Sequence, residues 1–182
     1  MVHVFLIDGF EPIEAVTPVD MLHRAGVEVV TVSLTGNLTV NGAHGITVIA
    51  DVLFEDADFS QSDMLILPGG PGSQGMSGHS GLCSLLKYFA SENKPIGAIC
   101  AAPSVLERLG ILDGRRATVY PGCGDGIANV SFTGEFVVRD GNIITAIGPA
   151  ASAAFAAGII ELLCGPDVRR RVCDAMQFNV AR

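Results

Sequence analysis

The fold prediction starts from the stretch Pro-Ile-Gly-Ala-Ile-Cys-Ala-Ala-Pro, residues 95–103. Its short apolar run, residues 96–99, has the length and composition of a buried β-strand. Residues 101–109 can form a helix whose first turn contains Pro103, where proline is tolerated. The stretch therefore predicts a strand, a sharp turn at Cys100 and a helix.

Cys100 stands at this turn, and two interpretations of it stay open. A cysteine at the carboxyl end of a strand faces the positive end of the following helix dipole, which favours thiolate over thiol. The small neighbours Ala98, Ala101 and Ala102 leave room for a ligand to approach the sulfur, as at the nucleophile turns of other α/β enzymes. Free cysteine is also common as a small buried apolar residue. Position 100 is thus predicted to hold either a reactive nucleophile or a core residue.

Composition limits both the size and the partners of the protein. The chain has 182 residues, with 22 glycines and no tryptophan, which suits a compact α/β protein with many turns. That length fits one domain, residues 1–182, with a substantial core. Its 11 Lys and Arg residues against 19 Asp and Glu residues give a net charge of -8. We therefore expect no nucleic acid and no acidic membrane surface as a partner.

The five cysteines, at positions 83, 100, 123, 164 and 173, form no C-x-x-C pair. They also have no metal-ligand spacing with the four histidines, so no metal site is predicted. An odd number of cysteines without a disulfide framework favours reduced thiols and a cytoplasmic protein. Residues 1–8 lack the basic segment of a signal peptide. The apolar residues 146–165 are interrupted by Pro149, Ser152 and Glu161, which favours a buried helix over a membrane span.

Apolar runs alternate with helix-compatible segments along most of the chain. A strand over residues 2–7, a helix between Gly9 and Gly26, and a strand over residues 27–34 make one βαβ unit, for which a parallel sheet is expected. The predicted fold class is α/β: a flavodoxin-like, doubly wound, mostly parallel sheet between helices, with a nucleophile turn. Further strands are predicted at residues 63–67, 95–99 and 117–120, hairpins within 38–49 and 136–147, and further helices at 82–92, 104–109, 150–164 and 167–177.

Ligand sites of open α/β sheets lie outside the carboxyl ends of the strands. In this chain the loops after those ends are residues 8–14, 68–73, 99–103 and 120–126. We therefore expect these four loops to meet at one site.

Glu14 belongs to the first of these loops and is a candidate neighbour of Cys100. A protonated carboxyl could donate a hydrogen bond to a thiolate, whereas an ionised one could act as a general base. An equal alternative is a solvated glutamate that the helix dipole stabilises. Glu11 is a weaker candidate because Pro12 places it before the helix.

Gly69 and Gly70, in Pro-Gly-Gly-Pro-Gly, offer backbone N–H groups without side chains. With the N–H of Ala101 they could hold a carbonyl oxygen or an oxyanion. The alternative is a tight turn without a ligand. The loop has neither the G-x-G-x-x-G nor the Walker pattern, so no cofactor is predicted.

Three segments together carry a resemblance to a known family: Gly-Phe-Glu-Pro-Ile-Glu-Ala-Val-Thr-Pro-Val-Asp at residues 9–20, Leu-Pro-Gly-Gly at 67–70, and Ala-Ile-Cys-Ala-Ala-Pro at 98–103. In this order they resemble the signature segments of the ThiJ/PfpI superfamily, nearest the branch of the Parkinson-associated protein DJ-one and its bacterial ThiJ-like relatives. The resemblance runs nearly end to end. It implies a flavodoxin-like sandwich, a homodimer, Cys100 as the reactive thiol and Glu14 as its acidic partner. It also implies that the N–H groups of Gly70 and Ala101 line an anion or carbonyl pocket.

The activities that the resemblance implies fall into three classes. The first is a cofactor-independent glyoxalase III or deglycase that acts on small carbonyl compounds such as methylglyoxal. The second is an oxidative-stress sensor or chaperone that uses oxidation of the same cysteine, and the third is a peptidase or a class I glutamine amidotransferase-like hydrolase.

Two positions depart from the family pattern. Where hydrolytic members have a histidine after the nucleophile turn, this chain has Tyr120-Pro121, which disfavours a Cys–His pair and with it the hydrolase. Tyr120 is predicted to be a pocket wall or a hydrogen-bonding partner of a substrate oxygen. His44 stands where several relatives have an arginine, so that arginine's contacts cannot be transferred. The leading prediction is the glyoxalase III or deglycase type.

Overall fold

Strands and helices alternate along the chain in the structure, a computed structural model that describes residues 1–178. The strands are β1 (Val2–Leu6), β2 (Val29–Ser33), β3 (Thr39–Asn41), β4 (Thr47–Ile49), β5 (Val52–Leu53), β6 (Met64–Leu67), β7 (Ile96–Ile99), β8 (Arg116–Ala117), β9 (Ser131–Phe132), β10 (Val137–Asp140) and β11 (Ile143–Ala146). The α-helices are α1 (Pro12–Arg24), α2 (Ser80–Ser91), α3 (Pro103–Arg108), α4 (Ser152–Cys164) and α5 (Pro166–Ala175).

Seven of these strands form the central sheet, in the order β10-β11-β7-β6-β1-β2-β5. Every neighbouring pair from β11 to β5 is parallel, and β10 alone pairs antiparallel, through its hairpin with β11. The chain proceeds outward from β1 to β2 and β5, and then returns to the other side of β1 as β6. This reversal confirms the predicted doubly wound α/β fold, and it opens a crevice beyond the carboxyl ends of β1 and β6.

The sheet is covered on both faces, which is why its strands are almost continuously apolar. Successive side chains of a strand point to opposite faces of the sheet: Val4 belongs to one buried cluster and the adjacent Phe5 to the other. Helices α1, α4 and α5 pack on the Val4 face, and α2 and α3 pack on the Phe5 face. The apolar residues 146–165 form mainly α4, which packs between α1 and α5.

The structure corrects two element predictions. The strand expected at residues 117–120 is wrong: β8 covers only two residues and pairs with β9 in a separate two-stranded sheet. The helix after Cys100 begins at Pro103 rather than at Ala101, and it has six residues. The hairpins at residues 38–49 and 136–147 are confirmed, although β3 and β4 form their own small sheet.

Candidate functional site

Cys100 follows the last residue of β7 and has a left-handed backbone conformation, with φ +64°. This conformation is costly for a residue other than glycine, by about 1–3 kcal/mol, and is often found at nucleophile turns. Two backbone hydrogen bonds fix it: the Cys100 N–H donates to Ala146 O at 2.8 Å, and the Cys100 carbonyl accepts from Tyr120 N–H at 2.8 Å. The turn therefore presents the sulfur in a defined direction, beyond the carboxyl end of the sheet.

Glu14 lies in the first turn of α1, and its side chain is completely buried. Its Oε2 accepts a hydrogen bond from the Gly69 N–H at 2.8 Å, and the Cys100 thiol lies within hydrogen-bonding range of the same carboxyl. The other oxygen, Oε1, is buried without a hydrogen-bond partner. The structure thus places a buried carboxyl beside a nearly buried thiol.

Burial controls the protonation of both groups. It raises the pKa of Glu14 to about 7, against the lowering effect of the hydrogen bonds with Cys100 and Gly69. Burial also raises the pKa of Cys100 to about 12, and the nearby charge of Glu14 adds to that rise. The N–H groups of Gly70 and Ala101 hydrogen-bond with the Cys100 sulfur and partly oppose it. Burial thus opposes the negative charge of both groups, and the thiolate of Cys100 stays a prediction.

Gly69 and Gly70, in the loop after β6, are glycines for different structural reasons. A Cβ at Gly69 would lie 2.6 Å from the Cys100 Cβ and 2.7 Å from Glu14 Oε2, so any side chain there would separate the two acids. Gly70 has φ +98°, and a Cβ there would lie 2.4 Å from the Glu11 nitrogen. The loop can approach the acids closely because it carries no side chains at these positions.

Ala101 and Tyr120 reach the site differently. The N–H of Ala101 follows the turn directly and faces the Cys100 sulfur beside that of Gly70. The Tyr120 N–H donates a hydrogen bond to the Cys100 carbonyl. The Tyr120 ring packs over Gly148, and the residue is about half exposed. The four predicted loops therefore meet, even though the last of them does not follow a strand of the main sheet.

Glu11 is closer to the site than its position before the helix suggested. It is nearly buried, its N–H donates to Gly69 O at 3.0 Å, and its negative charge raises the pKa of Glu14. Its Oε2 lies 3.4 Å from Nε2 of the exposed His44. The only sequence signal for this role is its place in the loop after β1.

Within residues 1–178, the histidines are engaged away from the sulfur. His3 bonds with Ser62 Oγ at 2.9 Å, and His79 caps α2 by accepting from the Leu82 N–H at 3.1 Å. His44 pairs with Glu11, and His23 lines an apolar groove beside α1. This arrangement gives no support to a Cys–His nucleophile.

Two further findings concern the part of the chain that the structure describes. It contains no group of three or more His, Cys, Asp or Glu residues arranged to hold a metal ion. Among its helices, none is both long enough and apolar enough to cross a membrane.

Comparison with known proteins gives consistent matches over most of the chain. The sequence matches the DJ-1/PfpI family over residues 1–162. Protein DJ-1 homolog B of Arabidopsis thaliana is 39% identical over 160 residues, which are 87% of this chain and 36% of that protein. The chain thus spans little more than a third of that relative. A protein of Pyrococcus abyssi named deglycase is 34% identical over 158 residues, 86% of this chain and 95% of its own length. The solved structure of oxidized Toxoplasma gondii DJ-1 superimposes with a TM-score of 0.93 at 31% identity, covering 97% of both chains.

Proposed function

The chain belongs to the DJ-1/PfpI family, and from this membership and the Cys100 site we propose that it is a cofactor-independent enzyme of the glyoxalase III or deglycase type. Its substrates would be small α-oxoaldehydes such as methylglyoxal, or their adducts. The relative from Pyrococcus abyssi that is named a deglycase supports an enzymatic activity at the level of the family.

One observation carries the proposal: a buried carboxyl and a thiol share a site with two backbone N–H donors. With its pKa near 7, Glu14 can both accept and return a proton at neutral pH. The N–H groups of Gly70 and Ala101 can hold an oxygen that becomes negative during the reaction. These are the groups that addition of a thiol to an aldehyde requires.

In the first step, the Cys100 sulfur forms a bond to the aldehyde carbon while Glu14 takes the thiol proton. The electron pair of the C=O bond moves to the oxygen, which Gly70 and Ala101 stabilise through their N–H groups. Glu14 then returns its proton to this oxygen. The product is a hemithioacetal, and Glu14 is again a carboxylate.

In the second step, Glu14 removes the hydrogen of the former aldehyde carbon as a proton and delivers a proton to the former ketone carbon, while the hydroxyl proton on the former aldehyde oxygen passes to the former ketone oxygen. The aldehyde carbon is thereby oxidised to a thioester, and the ketone carbon is reduced to an alcohol, so no external oxidant or reductant is needed. Water then cleaves the thioester, which releases the thiol and a hydroxy acid. Methylglyoxal would give lactate.

The test is lactate formation from methylglyoxal by the wild type and by the Cys100→Ser variant, with the chirality of the product determined. We expect the variant to lose activity by about a thousandfold or more while its circular dichroism is unchanged. Cys83→Ser is the matched control, because this half-buried thiol bonds only to backbone carbonyls. Full activity of Cys100→Ser would reject the mechanism. With a preformed methylglyoxal adduct as the substrate, a rate of lactate formation that depends only on the free aldehyde released from the adduct would identify a glyoxalase rather than a deglycase.

A second function of the same thiol is oxidative-stress sensing or oxidation-dependent chaperone action. The related Toxoplasma gondii structure is described as oxidized, and here Glu14 and two N–H groups surround the sulfur. Each peroxide molecule would transfer one oxygen atom to Cys100 and leave as water, so that two peroxides give a sulfinate. Peptide mass spectrometry after mild peroxide should find two added oxygen atoms preferentially at Cys100. Equal oxidation of all five cysteines would contradict a sensor.

We also propose a homodimer, in which a second copy covers an apolar face of α1 and the β3–β4 hairpin. Large exposed side chains concentrate there, and beside them lies a groove of about 250 Å³ lined mainly by apolar residues. A patch of this kind typically marks an interface. This surface, the hairpin face, comprises the exposed residues Ile13 and Val16 of α1 together with Leu38, Ile46 and Ile49 in and beside the hairpin.

We propose a cytoplasmic location as well, which the five free thiols fit.

A further inference from the structure

In each of the two loops that provide the N–H donors, a serine donates a hydrogen bond to the carbonyl oxygen of the donor residue itself. In the loop after β6, Ser73 donates to Gly70 O from its N–H at 3.1 Å and from its hydroxyl at 2.8 Å. In the turn after β7, the Ser104 hydroxyl donates to Ala101 O at 2.7 Å. The carbonyl groups that directly follow both donor N–H groups are therefore fixed by short local contacts.

Gln74 joins these two loops. It follows Ser73 directly, and its Nε2 donates to Ser104 Oγ at 2.8 Å, across 30 residues of sequence. Ser104 has one hydroxyl hydrogen, which it uses on Ala101 O, so it must accept from Gln74, and this sets the orientation of the amide. A continuous chain of hydrogen bonds thus runs from the segment after Gly70 to the carbonyl of Ala101.

We propose that Gln74 and Ser104 are positioning residues, which hold the N–H groups of Gly70 and Ala101 at a fixed spacing around the Cys100 sulfur. This inference rests on the donor role that the proposed function gives to those two N–H groups. Neither Gln74 nor Ser104 needs to touch a substrate.

The site has a physical need for such a connection. The two donors come from loops that follow different strands, one of them rich in glycine, and Cys100 itself has a strained backbone. Electrostatic stabilisation of an oxygen depends on donors placed within a few tenths of an ångström. If the two loops moved independently, this spacing would vary.

Stability alone does not account for the connection. The Oε1 atom of Gln74 is buried without a partner, which costs free energy that an apolar side chain of similar size would avoid. Ser104 is 4% exposed, so the bridge lies largely away from water. A buried polar connection with this cost is better explained by the geometry that it imposes.

The test measures the alkylation rate of Cys100 by iodoacetamide as a function of pH, followed on the Cys100 peptide by mass spectrometry. The N–H donors lower the pKa of Cys100, so their displacement should raise it and slow alkylation at a given pH. We expect Gln74→Met and Ser104→Ala each to reduce the rate by about fivefold, the equivalent of one hydrogen bond. Ser104→Thr retains the hydroxyl and should restore the wild-type rate.

Ser152→Ala is the matched control. Ser152 is also buried, and its hydroxyl donates three residues back, to Pro149 O at 2.8 Å, at the start of another helix. Its loss should lower the melting temperature without changing alkylation of Cys100. Wild-type rates and pH profiles in both Gln74→Met and Ser104→Ala would overturn the proposal.

Two features keep the result decisive. Alkylation requires no turnover, so the outcome stands even if methylglyoxal proves not to be a substrate. If Ser104→Ala does not fold, Gln74→Met decides alone, because it leaves the bond between Ser104 and Ala101 in place. In that case an unchanged rate in Gln74→Met rejects the inference, and a reduced rate supports it.

Discussion

Replacing Glu14 by Gln should make the protein more stable, and by an amount that depends on pH. Burial raises the pKa of this carboxyl from 4.5 to about 7 in the folded protein. Between these two pH values the unfolded chain has released the proton that the folded chain still holds. The unfolded state then binds fewer protons, so the stability of the wild type falls as the pH rises through this range.

The size of the effect follows from the two pKa values. At about 1.4 kcal/mol per pH unit, the interval from 4.5 to about 7 corresponds to about 3 kcal/mol of lost stability once the pH exceeds 7. Glutamine has the shape of glutamate and can still accept the Gly69 N–H, but it does not ionise. We therefore expect Glu14→Gln to exceed the wild type by about 1 kcal/mol at pH 5.5 and by about 3 kcal/mol at pH 8.

Urea denaturation of both proteins at pH 5.5 and pH 8 measures this difference. Both values lie above the isoelectric point of about 4.8, which avoids precipitation. The other carboxyl groups titrate equally in the two proteins and cancel in the comparison. Burial raises the pKa of Cys100, away from this pH range, so the difference between the two proteins reports mainly on Glu14. A gap that is the same at both pH values, or a variant less stable than the wild type at pH 8, would refute the assignment of a costly buried charge to Glu14.

Three other substitutions test separate parts of the structure. Gly69→Ala should reduce lactate formation by about a hundredfold, because its Cβ would lie 2.6 Å from the Cys100 Cβ and 2.7 Å from Glu14 Oε2; unchanged kinetics would contradict this packing. Tyr120→Phe should reduce turnover less than about fivefold, since the residue is held by its backbone N–H, and a larger loss would indicate that the phenol binds substrate. Ile49→Lys places a charge on the hairpin face, where position 49 is 74% exposed, and should halve the mass measured by light scattering. A variant that stays dimeric would place the interface elsewhere.

Most of the sheet could be predicted from the sequence because its strands are buried on both faces. The run Met64–Leu67 is apolar throughout and Val2–Leu6 is apolar except for His3, and the helices between strands bring successive strands into parallel register. The shortest strands could not be predicted in this way. Val52–Leu53 and Arg116–Ala117 have two residues each, too few for any periodicity, and only their distant partners make them strands.

The location of the candidate site was also predictable, whereas its supporting contacts were not. Strand ends of a parallel sheet meet at one edge, so topology alone brings Glu14, Gly69 and Cys100 together. Gln74 and Ser104 are ordinary polar residues in a loop and a short helix, with no spacing that connects them. Their hydrogen bond depends on how the two loops pack, and a single sequence does not encode that in any local pattern.

The helix dipole is only one of several contributions to the pKa of the Cys100 thiol. A helix dipole typically contributes about 0.3–1 kcal/mol, and the helix after Cys100 has only six residues. Burial of the thiol beside a second acid raises the pKa of Cys100, against the helix dipole and the N–H groups of Gly70 and Ala101, and burial raises the pKa of Glu14 as well. In the proposed reaction, the ligand's oxygen takes up the two N–H groups while Glu14 accepts the thiol proton, which offsets the cost of forming a buried charge. An electrophile that supplies its own polar oxygen, such as an aldehyde or a peroxide, meets this requirement, and a simple alkylating agent does not bring an oxygen to the reacting atom. Cys100 should therefore react slowly with iodoacetamide relative to methylglyoxal, which a direct competition between the two reagents measures.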